Sequence, residues 1–241
     1  MADATPLTHQ IARWGHTLRS GLIDLLYPPR CLHCQARVAD AALPLCPRCL
    51  RRMEHPAPAN VAAHLARLNH ADALDGAVPL WRFERDGPLQ AVQHALKYGN
   101  RPRYGVALGR LMGTAYEQAE APMPAAIVPV PLHRTRYLER GYNQSETLAQ
   151  GVGAVLGTPV RPGLLTRPRP TRSQTNLSRA ARWNNVVDAF AAPDPEAVAG
   201  ATLLLVDDVL TTGSTAVAAA RVLRTAGARA VSLITLAFAE H

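Results

Sequence analysis

Two groups of residues in this chain have the types and spacing to do chemistry. The first begins with Asp207 and Asp208, adjacent acids at the end of the apolar run Leu203-Leu204-Leu205-Val206. After Val209-Leu210 comes a hydroxyl-rich turn, Thr211-Thr212-Gly213-Ser214-Thr215. Neighbouring carboxylates repel each other unless they accept hydrogen bonds from a diol or approach a metal. The turn calls for an anion. Thr211, Thr212, Ser214 and Thr215 offer hydroxyl donors around Gly213, whose missing Cβ lets backbone come close to a ligand, and a helix starting there would present free N–H groups and a partial positive charge. A sugar carrying a 5′-phosphate and a 2′,3′-diol would engage all of these groups. Helix capping alone would need only one or two of them.

The second group is Cys31-Leu32-His33-Cys34 and Cys46-Pro47-Arg48-Cys49, which hold all 4 cysteines of the chain. Paired C-x-x-C units form tight knuckles whose thiolates face one ion, and zinc is the ion such spacing predicts. With four protein ligands, Cys31, Cys34, Cys46 and Cys49, the site is closed and therefore structural. Two disulfides would need an oxidising compartment, and a redox pair would need a preceding strand of a thioredoxin-like unit. His33 lies inside the first knuckle and reads as a bystander.

The acids must be carried by a strand and the turn must open a helix. Leu203 to Val206 is too short for a buried helix and does not alternate, which suits a parallel strand covered on both faces. From Ser214 a helical spacing runs to Ala226 and stops at Gly227, and Ala230 to Phe238 supplies a last strand. Ala126 to Pro131 reads as another buried strand, leading into a basic loop with His133, Arg134, Arg136 and Arg140 as donors for a pyrophosphate, and then a helix from Asn143 to Leu156. Ala77 to Phe83 reads as an edge strand because Pro79 cannot donate to a central ladder. A helix through Leu89, Val92 and Leu96 closes at Lys97-Tyr98-Gly99, with Lys97 balancing the helix dipole, and Val106 to Ala119 forms another. Val160 to Leu165 is a candidate third strand. Thr166 to Leu177 lacks an apolar period and reads as a loop, followed by a helical segment from Ser178 to Asn185.

Near the N-terminus, Ile11, Trp14, Leu18, Leu22 and Leu25 mark an amphipathic helix that ends at Pro28-Pro29, its stripe suited to packing on protein rather than on a membrane surface. Leu50 to Leu74 shows weak periodicity and reads as a connector. The expected organisation is therefore an N-terminal helix over residues 1–27, a four-cysteine module over 28–55 and an α/β domain over 75–241.

Bulk properties set the outer limits. A chain of 241 residues with 48% hydrophobic content can bury a core. Its apolar runs are too short for a membrane span, and no secretory signal pattern opens it, so a cytoplasmic location is expected. The formal charge of +8 favours polyanionic partners, either nucleic acid or a substrate with several phosphates. Arg161, Arg167, Arg169, Arg172, Arg179 and Arg182 concentrate that charge in a span without acids.

The stretch from Val206 to Thr215 resembles the phosphoribosyl-pyrophosphate (PRPP) signature of type I phosphoribosyltransferases. Taken with Cys31 to Cys49, with Pro129 to Ala149 and with Arg167 to Asn185, in that order, it resembles the ComF/GntX family. That resemblance implies a type I phosphoribosyltransferase fold, a parallel twisted sheet flanked by helices, with a small zinc-ribbon-like module before it. It implies that Val130, Pro131, Leu132 and His133 form the pyrophosphate loop and that Arg167 to Leu177 closes over the site. Asp207 and Asp208 would hold the ribose diol, Thr211, Thr212, Gly213, Ser214 and Thr215 the 5′-phosphate, and magnesium would bridge pyrophosphate and ribose. In catalysis Arg134 and Arg172 would join the two acids by stabilising the departing pyrophosphate. The family further implies a link to competence, DNA uptake and nucleotide metabolism, with single-stranded DNA and uptake proteins as partners. An enzyme of phosphoribosyl transfer, a non-catalytic accessory factor and a PRPP-sensing regulator all fit this pattern. No segment identifies an acceptor.

Overall fold

The computed structural model describes residues 28–68, 71–169 and 188–240. The expected N-terminal helix, Arg172 and the helical segment from Ser178 to Asn185 lie outside them. Four strands, β1 (Gly76–Arg82), β2 (Ala126–Pro129), β3 (Thr202–Leu210) and β4 (Ala230–Phe238), form a parallel sheet in the order β1-β4-β3-β2. In β3, Leu203 and Leu205 enter one apolar cluster while Leu204 and Val206 enter the other, and all four are fully buried. Burial on both faces explains why this strand reads as an unbroken apolar run.

Seven helices are described: α1 (Pro47–Arg51), α2 (Pro58–Ala66), α3 (Pro88–Tyr98), α4 (Pro102–Gln118), α5 (Arg134–Arg140), α6 (Gln144–Leu156) and α7 (Ser214–Thr225). On one face α7 packs Ala216, Val217, Ala220 and Leu223 against Leu203 and Leu233. On the other, α3, α4 and α6 bring Val92, Leu96, Leu108, Met112, Leu148 and Val152 against Leu204 and Ile234. Helices α4 and α6 approach to backbone contact, since a Cβ on Gly109 would lie 2.1 Å from the Leu148 carbonyl oxygen. That close seam fixes α6, whose N-terminus reaches the carboxyl end of the sheet.

Several expectations need correction. The strand expected to end at Val206 continues to Leu210, so Asp207 sits inside β3 and is in register with Thr235. The third strand expected over Val160 to Leu165 is one bridge, Val160 with Ile127, followed by a 3-10 turn over Pro162–Leu164. Pro159 and Pro162 lack the N–H groups a longer ladder would need. The basic loop after Pro131 is in part helix α5, capped where the Thr135 N–H donates to His133 Nδ1 at 3.3 Å. The connector from Leu50 to Leu74 contains the end of α1, all of α2 and a 3-10 turn over Ala71–Ala73. Val61, Leu65 and Leu68 fall at i, i+4 and i+7 behind Pro58 at the first turn, which is a helical signature. β1 is an edge strand, as Pro79 requires. Among the described residues, no helix is long and apolar enough to cross a membrane.

Candidate functional site

The four cysteines converge. Their sulfurs all lie within 4.8 Å of one another, and Cys34 Sγ is 3.6 Å from Cys46 Sγ. Four Zn–S bonds of about 2.3 Å in a tetrahedron put the sulfurs about 3.8 Å apart, so the donor set fits zinc. Three of the four are buried and Cys34 is exposed. Burial opposes ionisation of Cys31, yet the backbone N–H groups of Cys34, Cys46 and His33 bring its thiol down to about 6. Burial and the neighbouring sulfurs push the Cys49 thiol up, a conflict that a bound cation relieves. Cys31, Leu45, Cys46 and Cys49 share an apolar cluster with Leu80 and Trp81 of β1, which seats the module on the sheet.

Asp207 and Asp208 lie where β3 nears its carboxyl end, and each has a different partner. Ser145 Oγ, in the first turn of α6, donates to Asp207 Oδ1 at 2.9 Å, and the Asp208 N–H donates to the same oxygen at 2.9 Å. Lys97 Nζ, from the last turn of α3, sits 2.7 Å from Asp208 Oδ2. Both side chains of that ion pair are largely withdrawn from water, 25% exposed for Lys97 and 15% for Asp208. Lys97 therefore does more than balance a helix dipole. Burial, and then the charge of Asp208, raise the Asp207 carboxyl from its ordinary value to about 7, against the hydrogen bonds and Lys97, which act to lower it.

Beyond Leu210 the chain turns through Gly213, which is left-handed at φ +71 and forms the N-cap of α7. The first bond of the helical ladder runs from the Val217 N–H to the Gly213 carbonyl at 2.9 Å. The N–H groups of Ser214, Thr215 and Ala216 thus precede the ladder and gather at the helix start. Thr212 Oγ1 and Ser214 Oγ lie 3.1 Å apart, and the first turn carries no acid. Asp207 and Thr211 to Thr215 line one small hollow together with Leu233 and Thr235. The direction a Gly213 Cβ would take is filled by Leu68, whose Cδ1 would lie 2.4 Å away, so glycine here accommodates a protein side chain.

The basic side is arranged differently. The Val130 N–H donates to the Val206 carbonyl at 2.9 Å, and its own carbonyl accepts from Asn143 Nδ2 at 3.1 Å. Both polar groups of Val130 are therefore engaged within the protein. Asn143 Oδ1 also accepts the Ser145 N–H at 3.1 Å, so one side chain caps α6 and ties it to the loop after β2. Pro131, Leu132 and His133 are half-buried beyond that anchor. His133 and Arg134 line a second hollow with Thr135, Leu138, Glu139, Arg167 and Pro168. Arg136 is paired on the surface with Glu139 at 2.9 Å, and Arg140 donates to Gln144 Oε1 at 2.8 Å. The Arg167 guanidinium lies over the Phe190 ring at 5.2 Å, close enough to Asp207 and Arg136 to feel both charges.

The sequence reading placed the acids, the turn and the cysteines but missed Ser145, Thr235 and Leu68. Ser145 had a usable signal, because it lies two residues after the capping residue Asn143 in a stretch that reads as ligand-facing. Leu68 had only its helical spacing from Val61 and Leu65. Thr235, within an apolar strand, had none.

Residues 22–68 match the double zinc ribbon domain, and residues 165–241 match the phosphoribosyl transferase domain. The chain is 33% identical over 206 residues to DNA utilization protein YhgH of Salmonella typhi, covering 82% of this chain and 86% of that one. It is 29% identical over 222 residues to competence protein F of Haemophilus influenzae, covering 86% and 96%. A glutamine PRPP amidotransferase from B. subtilis, solved with ADP and GMP, overlays with a TM-score of 0.40 and 23% identity across 58% of this chain and 30% of that one, too partial a likeness to carry an argument. With a four-cysteine ribbon ahead of a phosphoribosyltransferase-type sheet, and one third identity to a relative across most of both chains, this protein belongs to the ComF family.

Proposed function

We propose that the chain binds PRPP, or another phosphorylated ribose, at the carboxyl end of β3, and that this binding serves nucleotide metabolism connected with the use of imported DNA. The observation that carries the reading is one hollow lined by Asp207 and the Thr211 to Thr215 turn, with Asp208 next to Asp207 at the end of the same strand. Hydroxyls and helix N–H groups at Thr211, Thr212, Gly213, Ser214 and Thr215 take the 5′-phosphate. Asp207 and Asp208 accept the ribose hydroxyls, with Ser145 and Lys97 orienting the two carboxylates. Pro131, Leu132 and His133 lie on the pyrophosphate side, beyond the anchored Val130, and Arg134 faces the leaving anion. Arg172 belongs to this role by family resemblance alone.

Magnesium suits the donor set, two adjacent carboxylates of which Asp207 is raised first by burial and then by the charge of Asp208, and it would neutralise pyrophosphate. Displacement at the anomeric carbon builds positive charge on the ribose and negative charge on the pyrophosphate. The protein's contribution is then positioning and stabilisation of the leaving anion. Whether an acceptor attacks or the ligand is only sensed, the same site must bind PRPP. Titration of the protein with PRPP and magnesium should saturate, and Asp207→Asn with Asp208→Asn should abolish saturation. A wild-type protein that shows no saturable binding overturns both the enzyme and the sensor readings.

A second reading has its own observation. Helix α5 exposes Tyr137 at 47% and Leu138 at 71% beside Arg134, and Tyr98 is 67% exposed. Aromatic and basic side chains together suit single-stranded DNA or a partner of the uptake machinery, in keeping with the names of the relatives. Such binding would weaken steeply as salt rises, and an affinity insensitive to salt would exclude phosphate contacts as its basis.

A further inference from the structure

Between the zinc module and β1 the chain takes a route that neither metal binding nor ligand binding requires. The Arg82 N–H, at the end of β1, donates to the Glu54 carbonyl at 2.7 Å, and His55 Nδ1 lies 2.7 Å from the Leu80 carbonyl oxygen. One turn into α2, Asn60 Nδ2 donates to Glu240 Oε1 at 2.9 Å, just after β4. Near the end of α2 the His64 ring meets Phe238, the last residue of β4, edge-on with centroids 5.1 Å apart. Leu68 is 7% exposed and fills the space against Gly213, the turn after β3. Residues 54–68 thus step across the carboxyl ends of β1, β4 and β3 in their order in the sheet. Val61, Leu65 and Leu68 join the cluster that also holds Leu210, Ala216 and Val217.

We infer that this segment is a strap through which the zinc module sets the shape of the phosphate turn, with Leu68 as the positioning residue at its end. The physical basis is steric. Gly213 must stay left-handed for the N–H groups of Ser214, Thr215 and Ala216 to converge, and the side on which a Cβ would stand is packed by Leu68. At its start the strap is held by α1 and the knuckles around Cys46 and Cys49, so its anchor depends on the metal. The consequence is coupling between two sites at opposite ends of the strap. This inference rests on the proposed PRPP site for its ligand but not for its structural readout.

The test uses the full zinc-loaded chain, with amide exchange of residues 211–217 followed in the absence of ligand and PRPP–magnesium affinity measured separately. Leu68→Ala should speed exchange in that turn at unchanged zinc content and weaken PRPP binding about tenfold. Leu68→Met, which conserves volume, should restore both. Stripping zinc from the wild type should reproduce the faster exchange, and in Leu68→Ala it should add nothing further in the turn. Unchanged exchange in Leu68→Ala overturns the inference, as does additivity of the two changes. Loss of protection spread through β3 and β4 on zinc removal overturns it too, because the module would then support the whole sheet. Wild type that fails to bind PRPP while the exchange pattern holds overturns the ligand and leaves the strap.

Discussion

The zinc knuckles and the tandem acids both crowd like charges together, and they resolve that repulsion in opposite ways. Four sulfurs within 4.8 Å would be made compatible by one shared cation, and all four donors come from one short segment. Asp207 and Asp208 have no shared centre in the protein. Asp208 is matched by Lys97 from α3, while Asp207 receives Ser145 and a backbone N–H and is left with a carboxyl raised to about 7. A structural metal site is closed and self-sufficient. The acid pair, if it binds the proposed ligand, is instead completed by the ligand's arrival.

The comparison can be broken most severely at the metal. Metal analysis should find about one zinc per chain, and Cys49→Ser should lose it together with the ordered module, since structural zinc contributes about 10 kcal/mol or more to such units. A content below half an equivalent would remove the contrast altogether.

The next largest effect is expected at the ion pair. Lys97→Met leaves Asp208 without its cation in a site only 15% exposed on the acid side. The cost should be about 2 kcal/mol in denaturant unfolding, below that of a fully buried pair. Adding Asp208→Asn should recover much of that loss; strictly additive effects would mean that the 2.7 Å contact does not couple the two residues.

The asymmetry between the acids has a graded, pH-dependent consequence, smallest when read over a single pH unit. Because the folded Asp207 carboxyl titrates near 7 and the unfolded one near its ordinary value of 3.8, the folded state holds the extra proton between those pH values. Its contribution to stability therefore falls as pH rises from about 4 to about 7 and stays constant above that. Wild-type stability minus that of Asp207→Asn should fall steadily across this window, by up to about 1.4 kcal/mol per pH unit. A flat difference would place the Asp207 carboxyl in its ordinary range.

Legibility followed the range of the interactions. The cysteine cluster could be read because its four thiols lie within one short segment, and the hydroxyl turn at a helix start because strand, loop and helix are consecutive from Thr202 to Thr225. The boundaries read less well. The strand expected over Val160 to Leu165 is a single bridge, because Pro159 and Pro162 interrupt it. Helix α2 was read as a connector because Val61, Leu65 and Leu68 mark only a thin stripe among alanines.

By itself the sequence determined which groups are present and which of them are local neighbours: four thiols around one ion, two acids, and a hydroxyl turn at a helix start. Only the tertiary structure decided their partners. Lys97, Ser145 and Leu68 reach the site from three different helical segments, brought there by the apolar faces of α3, α6 and α2 packing on the sheet. Burial of those faces is driven by area and shape, which carry no local signature of the single polar or apolar side chain that each helix delivers to the acids or the turn.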